Sequence, residues 1–289
     1  MQLFTDMIRG QPLLCGQLCV LFCLVVLLDW DKSLVPPRDT QFFENDAKLA
    51  NELKSDTVSS YFVIAFAYFL FLPIFVTVPN LSSRGFSLRF VGSFDKSRKD
   101  ELCPSLLYYL YAVLATHFVT CCAKIYVGRK RPNFFAACEY HFAANAKKAP
   151  LFPGSSLVKG EVQFCKKDPI SGMLSFPSGH ASLAFSSTVF VAMELSGRIF
   201  TQAALLLFAV FVACSRVVDN KHHPEDIIAG AALGTAVSAM VHTRMIRTYF
   251  DRESPDGEKS SVVNGAYNSS PVAQDRQMSG MTGRENRAE

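Results

Sequence analysis

The stretch VSSYFVIAFAYFLFLPIFVTV, residues 58–78, decides the fold, because it contains no charged side chain. An α-helix rises about 1.5 Å per residue, so roughly 20 such residues cross the hydrocarbon core of a bilayer. A helix on the surface of a soluble protein would instead show polar residues every three or four positions. Residues 58–78 are therefore predicted to form a membrane-spanning helix.

Five further apolar runs accompany this stretch, at residues 13–28, 106–123, 181–192, 199–214 and 227–241. Each reaches a spanning length once a few flanking residues are added. The first is predicted to be an uncleaved helix, since Asp29 and Trp30 follow it in place of a small-residue cleavage site. The chain is thus predicted to be an all-α polytopic membrane protein, with six transmembrane helices in residues 1–245.

The last segment, residues 246–289, differs in composition from everything before it. It is polar and rich in Ser and Gly, and it has no apolar periodicity. Such a segment cannot bury enough apolar surface to offset the entropy lost on ordering. It is predicted to be a disordered tail.

Nine cysteines in 289 residues do not indicate a disulfide scaffold, and no Cys or His spacing indicates a zinc site. Cys138 and Cys165 share the long loop between the third and fourth spans. They are predicted to pair if that loop faces an oxidising compartment. His117 and Glu194 lie within spans without a motif partner, and they are interpreted as packing or interface residues.

Six crossings place three polar segments on one side of the membrane. KIYVGRKRP (124–132) and FPSGH (176–180) bound the long loop, and SRVVDNKHHPED (215–226) lies two crossings later. Polar side chains from all three can therefore meet in one site.

The cations of these segments suit a substrate with dense negative charge. The guanidinium groups of Arg131 and Arg216 match the geometry of phosphate oxygens. Lys124 is seven residues before Arg131, so the two share a helical face if the third span continues that far, which Gly128 makes doubtful. A single cation at a helix end equally fits an interfacial anchor. The neighbouring residues 129 and 130 are interpreted as solvated or in contact with lipid headgroups.

Two histidines and a helix start supply further chemistry. Ser178 is predicted to cap the fourth span, so that the N–H groups around Gly179 and His180 point at the loop and favour an anion. His180 can also hold or release a proton near neutral pH. Asp226 lies four residues after His222 and can orient its ring as a nucleophile. His223 is three residues from the same carboxylate, and geometry at the level of sequence does not separate the two.

These segments resemble the three-part signature of the type 2 phosphatidic acid phosphatase superfamily, and within it the lipid phosphate phosphatase branch. The signature reads Lys, six residues, Arg-Pro; then Pro-Ser-Gly-His; then Ser-Arg, five residues, His, three residues, Asp. Its positions are filled by Lys124, Arg131, Pro132, Pro177, Ser178, Gly179, His180, Ser215, Arg216, His222 and Asp226. One such motif alone would be weak, whereas all three in order are specific. The spacing of the third motif favours His222 over His223.

The resemblance implies a two-step hydrolysis in which His222 attacks phosphorus and forms a phosphohistidine. Asp226 would orient His222, and His180 would protonate the departing alkoxide. The phosphate oxygens would be bound by Lys124, Arg131, Ser178, Gly179 and Arg216. Because these cations stabilise the transition-state charge, no Mg²⁺ or other cofactor is expected.

The implied substrates are phosphatidate, lysophosphatidate, sphingosine 1-phosphate and ceramide 1-phosphate. Alternatives are a polyisoprenyl or diacylglycerol pyrophosphate phosphatase, a phosphotransferase, or a non-catalytic lipid-binding relative, against which the intact histidines argue. The chain has a net charge of +4, and its motif cations lie at the ends of the predicted spans and not in a separate basic domain. Nucleic acid is therefore not an expected partner. A homo-oligomer is compatible with the sequence. The resemblance implies cytosolic termini and a site facing the exterior or a lumen, in the plasma membrane or an endomembrane.

Overall fold

The structure, a computed structural model, describes residues 11–30, 34–70, 102–142, 158–195 and 199–250. Seven α-helices form in these ranges: α1 (Pro12–Trp30), α2 (Ser60–Phe69), α3 (Leu102–Val127), α4 (Phe134–Cys138), α5 (Gly179–Glu194), α6 (Ile199–Val218) and α7 (Pro224–Phe250). Short 3₁₀ helices occur at Ala47–Leu49, Val162–Phe164 and Ile170–Met173. By packing, the chain divides into units Met1–Met245 and Ile246–Glu289. The predicted disordered tail lies, from residue 251, outside the described residues and stays a prediction.

Among the residues that the structure describes, four helices are long and apolar enough to cross a membrane: α1, α3, α6 and α7. The second predicted span begins as α2, and the rest of its apolar run, from residue 71, lies outside the described residues. The fourth corresponds to α5, which has only 16 residues. The all-α fold is therefore confirmed over the described ranges, with a helix at each of the six predicted places and four of full spanning length.

Helix α5 lies at the centre of the bundle, where it contacts α2, α3 and α6. Its side chains are buried on nearly every face, which explains why Ser and Thr interrupt its apolar run. Thr116 on α3 donates a hydrogen bond to Ser186 over 3.0 Å, and Thr120 pairs with Ser182 at 2.9 Å. Ser186 in turn lies 2.9 Å from Ser238 on α7. Hydroxyl pairs thus tie three helices together where backbone donors are already used within each helix.

Glycine allows α7 to cross α5 at backbone contact. A Cβ atom on Gly230 would lie 2.5 Å from the Ser178 carbonyl oxygen, and one on Gly234 would overlap the Ser182 carbonyl oxygen. These two glycines are four residues apart, the spacing at which small residues let two helices approach closely.

Gly234→Ala is expected to lower the free energy of unfolding by about 1–3 kcal/mol, because the added methyl meets backbone atoms that cannot move aside. The matched control is Gly16→Ala on α1, where nothing lies within 4 Å of the new methyl. Thermal unfolding of the detergent-solubilised protein measures both. Equal midpoints for the two variants would contradict this account of the crossing.

Outside the bundle, the first loop and the long loop build a small apolar core. Its buried members are Phe42, Leu49, Phe134, Phe135, Cys138, Tyr140 and Met173. Phe42 packs edge-on against Phe134, with ring centroids 5.2 Å apart. The predicted disulfide between Cys138 and Cys165 is present and links α4 to a later part of the same long loop. This core holds the two loops against the helix ends that carry the motif residues predicted above.

Candidate active site

All eight predicted site residues lie at one end of the bundle formed by α3, α5, α6 and α7. Lys124 is in the last turn of α3, and Arg216 is in the last turn of α6. Ser178 caps α5, whose first turn contains Gly179 and His180. The remaining three are Arg131 and His222 in connecting loops and Asp226 in the first turn of α7. Helix ends thus bring together residues that are up to about a hundred positions apart in sequence.

Helix α3 does not continue to Arg131, in agreement with the doubt that Gly128 raised. The helix ends at Val127, and Gly128 has a φ of +59°, a left-handed conformation that favours glycine. A Cβ atom there would overlap the carbonyl oxygen of Arg38 in the first loop. Arg131 therefore reaches the site from a turn, where its backbone N–H donates to the Gly172 carbonyl over 2.8 Å.

The Asp226 carboxylate is fully buried and is held by three donors. Arg129 Nη1 donates to one oxygen over 2.7 Å. The other oxygen accepts from Ser175 Oγ at 2.6 Å and from the His223 backbone N–H at 2.9 Å. His222 Nδ1 lies 3.7 Å from that same oxygen, beyond hydrogen-bond length. The carboxylate therefore faces Nδ1 of the His222 ring, which leaves Nε2 on the opposite side of the ring.

The two adjacent histidines have different environments. His222 is buried with 2% of its surface exposed. The pKa of its imidazole is lowered to about 3, mainly by burial. The charges of Arg131 and Lys124 also lower this pKa, whereas the neighbouring Asp226 carboxylate raises it. The ring of His223 donates instead from Nε2 to the Lys130 carbonyl, 3.2 Å away. His222 is thus a neutral imidazole at neutral pH, the form that can attack an electrophile.

Arg216 is buried at the junction of α6 with the first loop. Its guanidinium donates to the Val58 carbonyl over 3.2 Å and pairs with Asp56 at 3.2 Å and Asp219 at 3.3 Å. Thr57 fixes Asp219 in turn, through a backbone bond of 2.8 Å and a side-chain bond of 2.6 Å. Burial alone would raise the pKa of Asp56. The charges of Arg216 and Lys221 outweigh burial and lower this pKa, so Asp56 remains ionised.

The start of α5 contacts both the first loop and Lys124. His180 Nε2 lies 3.2 Å from the Val58 carbonyl oxygen, which can only accept, so this nitrogen carries a hydrogen and Nδ1 is the one able to exchange a proton. The same carbonyl binds Arg216. A Cβ atom on Gly179 would lie 3.2 Å from Lys124 Nζ, so the ammonium group sits directly over the first helical turn.

A small cavity of about 70 Å³ is lined by Lys124, Arg131 and Gly179 among other residues. Burial, together with the nearby charge of Arg216, lowers the pKa of Arg131 to about 10, so the group stays cationic at neutral pH. Within the described ranges, Nε of Arg131, Nε of Arg216 and Nδ1 of His222 are buried without a hydrogen-bond partner. The two buried guanidinium groups, each with an unmatched donor, favour an anion with several oxygens.

The interpretation of residue 130 as solvated is wrong, and residue 129 is only partly exposed. Arg129 pairs with Asp226 at 2.7 Å and with Glu225 at 3.3 Å. Lys130 is 4% exposed, donates to Asp39 and the Thr40 carbonyl over 2.7 Å each, and lies over the Phe42 ring. Burial lowers the pKa of Lys130, although its hydrogen bond with Asp39 acts to raise this pKa. Both side chains brace the loop that carries Arg131.

Sequence reasoning also missed Ser175, Asp56, Thr57 and Asp219. Asp219 alone had a usable signal, since it stands three residues after Arg216 and so shares its helical face. The others approach the site from loops, and no spacing rule predicts such contacts. His117 and Glu194, interpreted as packing residues, do have polar partners: Tyr68 for the first and His242 for the second.

Comparisons with known proteins agree with the geometry. The profile of the PAP2 superfamily matches residues 105–249, which contain all three motifs. The chain is 33% identical over 165 residues to "Lipid phosphate phosphatase 1" of Arabidopsis thaliana, covering 53% of this chain and 48% of that one. It is 30% identical to "Probable diacylglycerol pyrophosphate phosphatase 1" of Schizosaccharomyces pombe, over 53% and 58% of the two chains. It is also 26% identical to mouse "Phospholipid phosphatase 1", over 75% and 80%.

The match thus spans about half the length of the plant and yeast relatives and four-fifths of the mouse one. No solved structure matches the chain at a comparable level of significance.

Proposed function

The chain belongs to the PAP2 superfamily, and on that premise we propose that it is an integral membrane phosphatase that hydrolyses lipid phosphomonoesters. Its substrates would be phosphatidate, lysophosphatidate, sphingosine 1-phosphate and ceramide 1-phosphate. The observation that carries this proposal is the group of three cations, Lys124, Arg131 and Arg216, beside a buried neutral His222. Several relatives are named as lipid phosphate or phosphatidate phosphatases, which supports the same reaction class.

In the proposed first step, Nε2 of His222 attacks phosphorus and the bond from phosphorus to the lipid oxygen breaks. For this step His180 carries a second proton, on Nδ1. Burial and the charge of Arg216 lower the pKa of the free ring to about 3, and the negative charge of the bound phosphate favours its protonation in the complex. His180 gives the Nδ1 proton to that oxygen, so that the dephosphorylated lipid leaves as an alcohol. In the second step water attacks the phosphohistidine, its proton passes to His180, and inorganic phosphate leaves with His222 restored. Asp226 stabilises the positive charge that the His222 ring carries while phosphorylated.

The phosphoryl oxygens are bound by the three cations and by the start of α5. Charge spreads over these oxygens in the transition state, so fixed cations and N–H donors lower its energy without needing to reorganise. Ser178 and Gly179 support this role because a helix N-terminus offers free N–H groups, and glycine lets an anion come close to the backbone.

We propose that the reaction needs no Mg²⁺. The carboxylates near the motif are already used: three donors hold Asp226, and Arg216 pairs with both Asp56 and Asp219. A magnesium site needs oxygen ligands that are available to the ion. The cations of the chain then take the part that a metal ion plays in other phosphoryl transfers.

The orientation of the site is part of the proposal. The disulfide between Cys138 and Cys165 supports a long loop that faces the exterior or a lumen, because such bonds persist in oxidising compartments. We therefore propose six spans with both termini in the cytosol. The pair is expected to resist a thiol reagent on the outer face of intact membranes until a reductant is added; labelling without reductant would contradict this orientation.

Phosphate release from phosphatidate in detergent micelles containing EDTA tests the function. The full-length protein is expected to retain at least about 80% of its rate when EDTA replaces Mg²⁺, since no step of the mechanism uses a metal. Diacylglycerol pyrophosphate is assayed in parallel, because one relative carries that activity in its name. Absence of hydrolysis of every lipid phosphate would favour a non-catalytic lipid-binding protein, and restoration of lost activity by Mg²⁺ would refute metal independence.

A further inference from the structure

A second polar cluster lies away from the motif residues, between α1, α2 and α3. The Tyr68 hydroxyl lies 3.1 Å from His117 Nδ1, and His117 Nε2 lies 3.8 Å from the Asp29 carboxylate. Three helices each contribute one side chain to this cluster. Ionisable groups at membrane depth are costly and usually serve a substrate or ion.

This cluster stands between two cavities. Asp29 and His117 line the small cavity that Lys124, Arg131 and Gly179 also line. They also line a groove of about 470 Å³ whose remaining walls are mostly apolar. Val26 of α1, Ile64 of α2 and Leu110 of α3 are examples of those walls. The apolar groove and the small cavity at the proposed phosphate site therefore share Asp29 and His117 in their walls.

The proposed function, on which this inference rests, gives the groove an occupant. A lipid phosphate has a phosphate head, a polar linker and one or two hydrocarbon chains, in that order. The cations, the cluster and the apolar walls follow the same order. His117 and Lys124 are also seven residues apart on α3, two turns along one face, which separates them by about 10 Å.

We propose that the groove binds the hydrocarbon chain of the substrate and that Asp29, His117 and Tyr68 bind a hydroxyl or ammonium group next to the phosphoester. Asp29 supplies the hydrogen-bond acceptor. Its side chain is 44% exposed, and His117 lies near only one of its two carboxylate oxygens, Oδ2. A carboxylate accepts from O–H or N⁺–H donors but repels the carbonyl oxygens of an ester. The cluster therefore selects monoacyl and sphingoid phosphates over diacyl ones.

Binding of a matched lipid pair tests this selection. The ligands are lysophosphatidate and its 2-deoxy analogue with the same acyl chain, which lacks only the hydroxyl next to the phosphoester. The protein is the full chain carrying His222→Ala, so that neither lipid is consumed. Equilibrium competition of each lipid against a fluorescent lysophosphatidate measures binding.

The hydroxyl lipid is expected to bind about tenfold more tightly than the deoxy lipid, as one hydrogen bond to a charged group allows. Asp29→Asn and Tyr68→Phe are each expected to bring this ratio toward one and to leave the affinity for the deoxy lipid within about twofold. Tyr61→Phe is the control, since it removes the same hydroxyl from an exposed position on the same helix. Thermal unfolding of each variant shows whether it is folded.

Equal affinities in the parent protein, or a ratio that survives Asp29→Asn, would overturn the inference. Cys121 lies close enough to Asp29 and His117 for the three to hold a metal ion. Zinc that copurifies with the parent protein and is lost from Asp29→Asn would therefore also overturn it. Retained selectivity in binding, with no hydrolysis of either lipid by the native chain, would count against the proposed function alone.

Discussion

His222→Asn is expected to reduce phosphate release by roughly 10⁴-fold or more, because it removes the atom that bonds to phosphorus. His223→Asn is expected to stay within about tenfold of the native rate. The His223 ring only donates to the Lys130 carbonyl, and an asparagine amide can also donate a hydrogen bond. The two variants differ by one position and by the same chemical change, so each is the control for the other.

Trapping the phosphoenzyme gives this prediction a second readout. Phosphohistidine survives alkali and is lost in acid, whereas a phosphoserine shows the opposite stability. Protein quenched in alkali during turnover of a ³²P-labelled lipid phosphate should carry label in the native chain and in His223→Asn, and none in His222→Asn. Label that persists in His222→Asn would discard this residue as the nucleophile.

The neutrality of His222 is essential to that result. Its buried ring lies near two cations that disfavour protonation, and the lowered pKa keeps Nε2 unprotonated across the neutral range. The 3.7 Å separation from Asp226 suits this resting state, since a neutral ring needs less from the carboxylate than a phosphorylated, positively charged one. Contacts of this kind commonly shorten once substrate is bound.

The sequence predicted the helices and the motif residues because both follow local rules. Residues 58–78 and their five counterparts are recognisable by length and hydropathy, and a helix occupies the described part of each run. Spacing likewise identified His222 and Asp226 as members of one motif. These features depend on neighbours in the chain, which a sequence displays directly.

The missed residues depend on distant neighbours. Arg129 is adjacent to a predicted residue, yet its partner Asp226 is 97 positions away. Val58, whose carbonyl binds both His180 and Arg216, acts through its backbone and has no side-chain signal at all. Even α5 was difficult to delimit, because a central helix with hydroxyl contacts on several faces lacks the apolar continuity of a lipid-facing one.

His180→Gln is expected to reduce hydrolysis of alkyl lipid phosphates by about 10²–10⁴-fold, the usual contribution of a general acid. The loss should depend on the leaving group. An alkoxide must be protonated as it departs, whereas an aryl oxide derived from a phenol with a pKa near 7 can leave unprotonated. With an aryl phosphate that carries an alkyl chain, the first step should therefore recover to within about tenfold of the native rate.

The second step should not recover, because the attacking water still needs a base. Rapid mixing of His180→Gln with the aryl substrate is then expected to show a burst of phenol equal to the amount of protein, followed by slow turnover. His222→Asn should show neither burst nor turnover, which separates loss of the proton donor from loss of the nucleophile. The Val58 carbonyl holds His180 through Nε2 and leaves Nδ1 for the proton, so a single ring can serve both steps. Equal losses on alkyl and aryl substrates would remove His180 from proton transfer and leave it a positioning role beside Arg216.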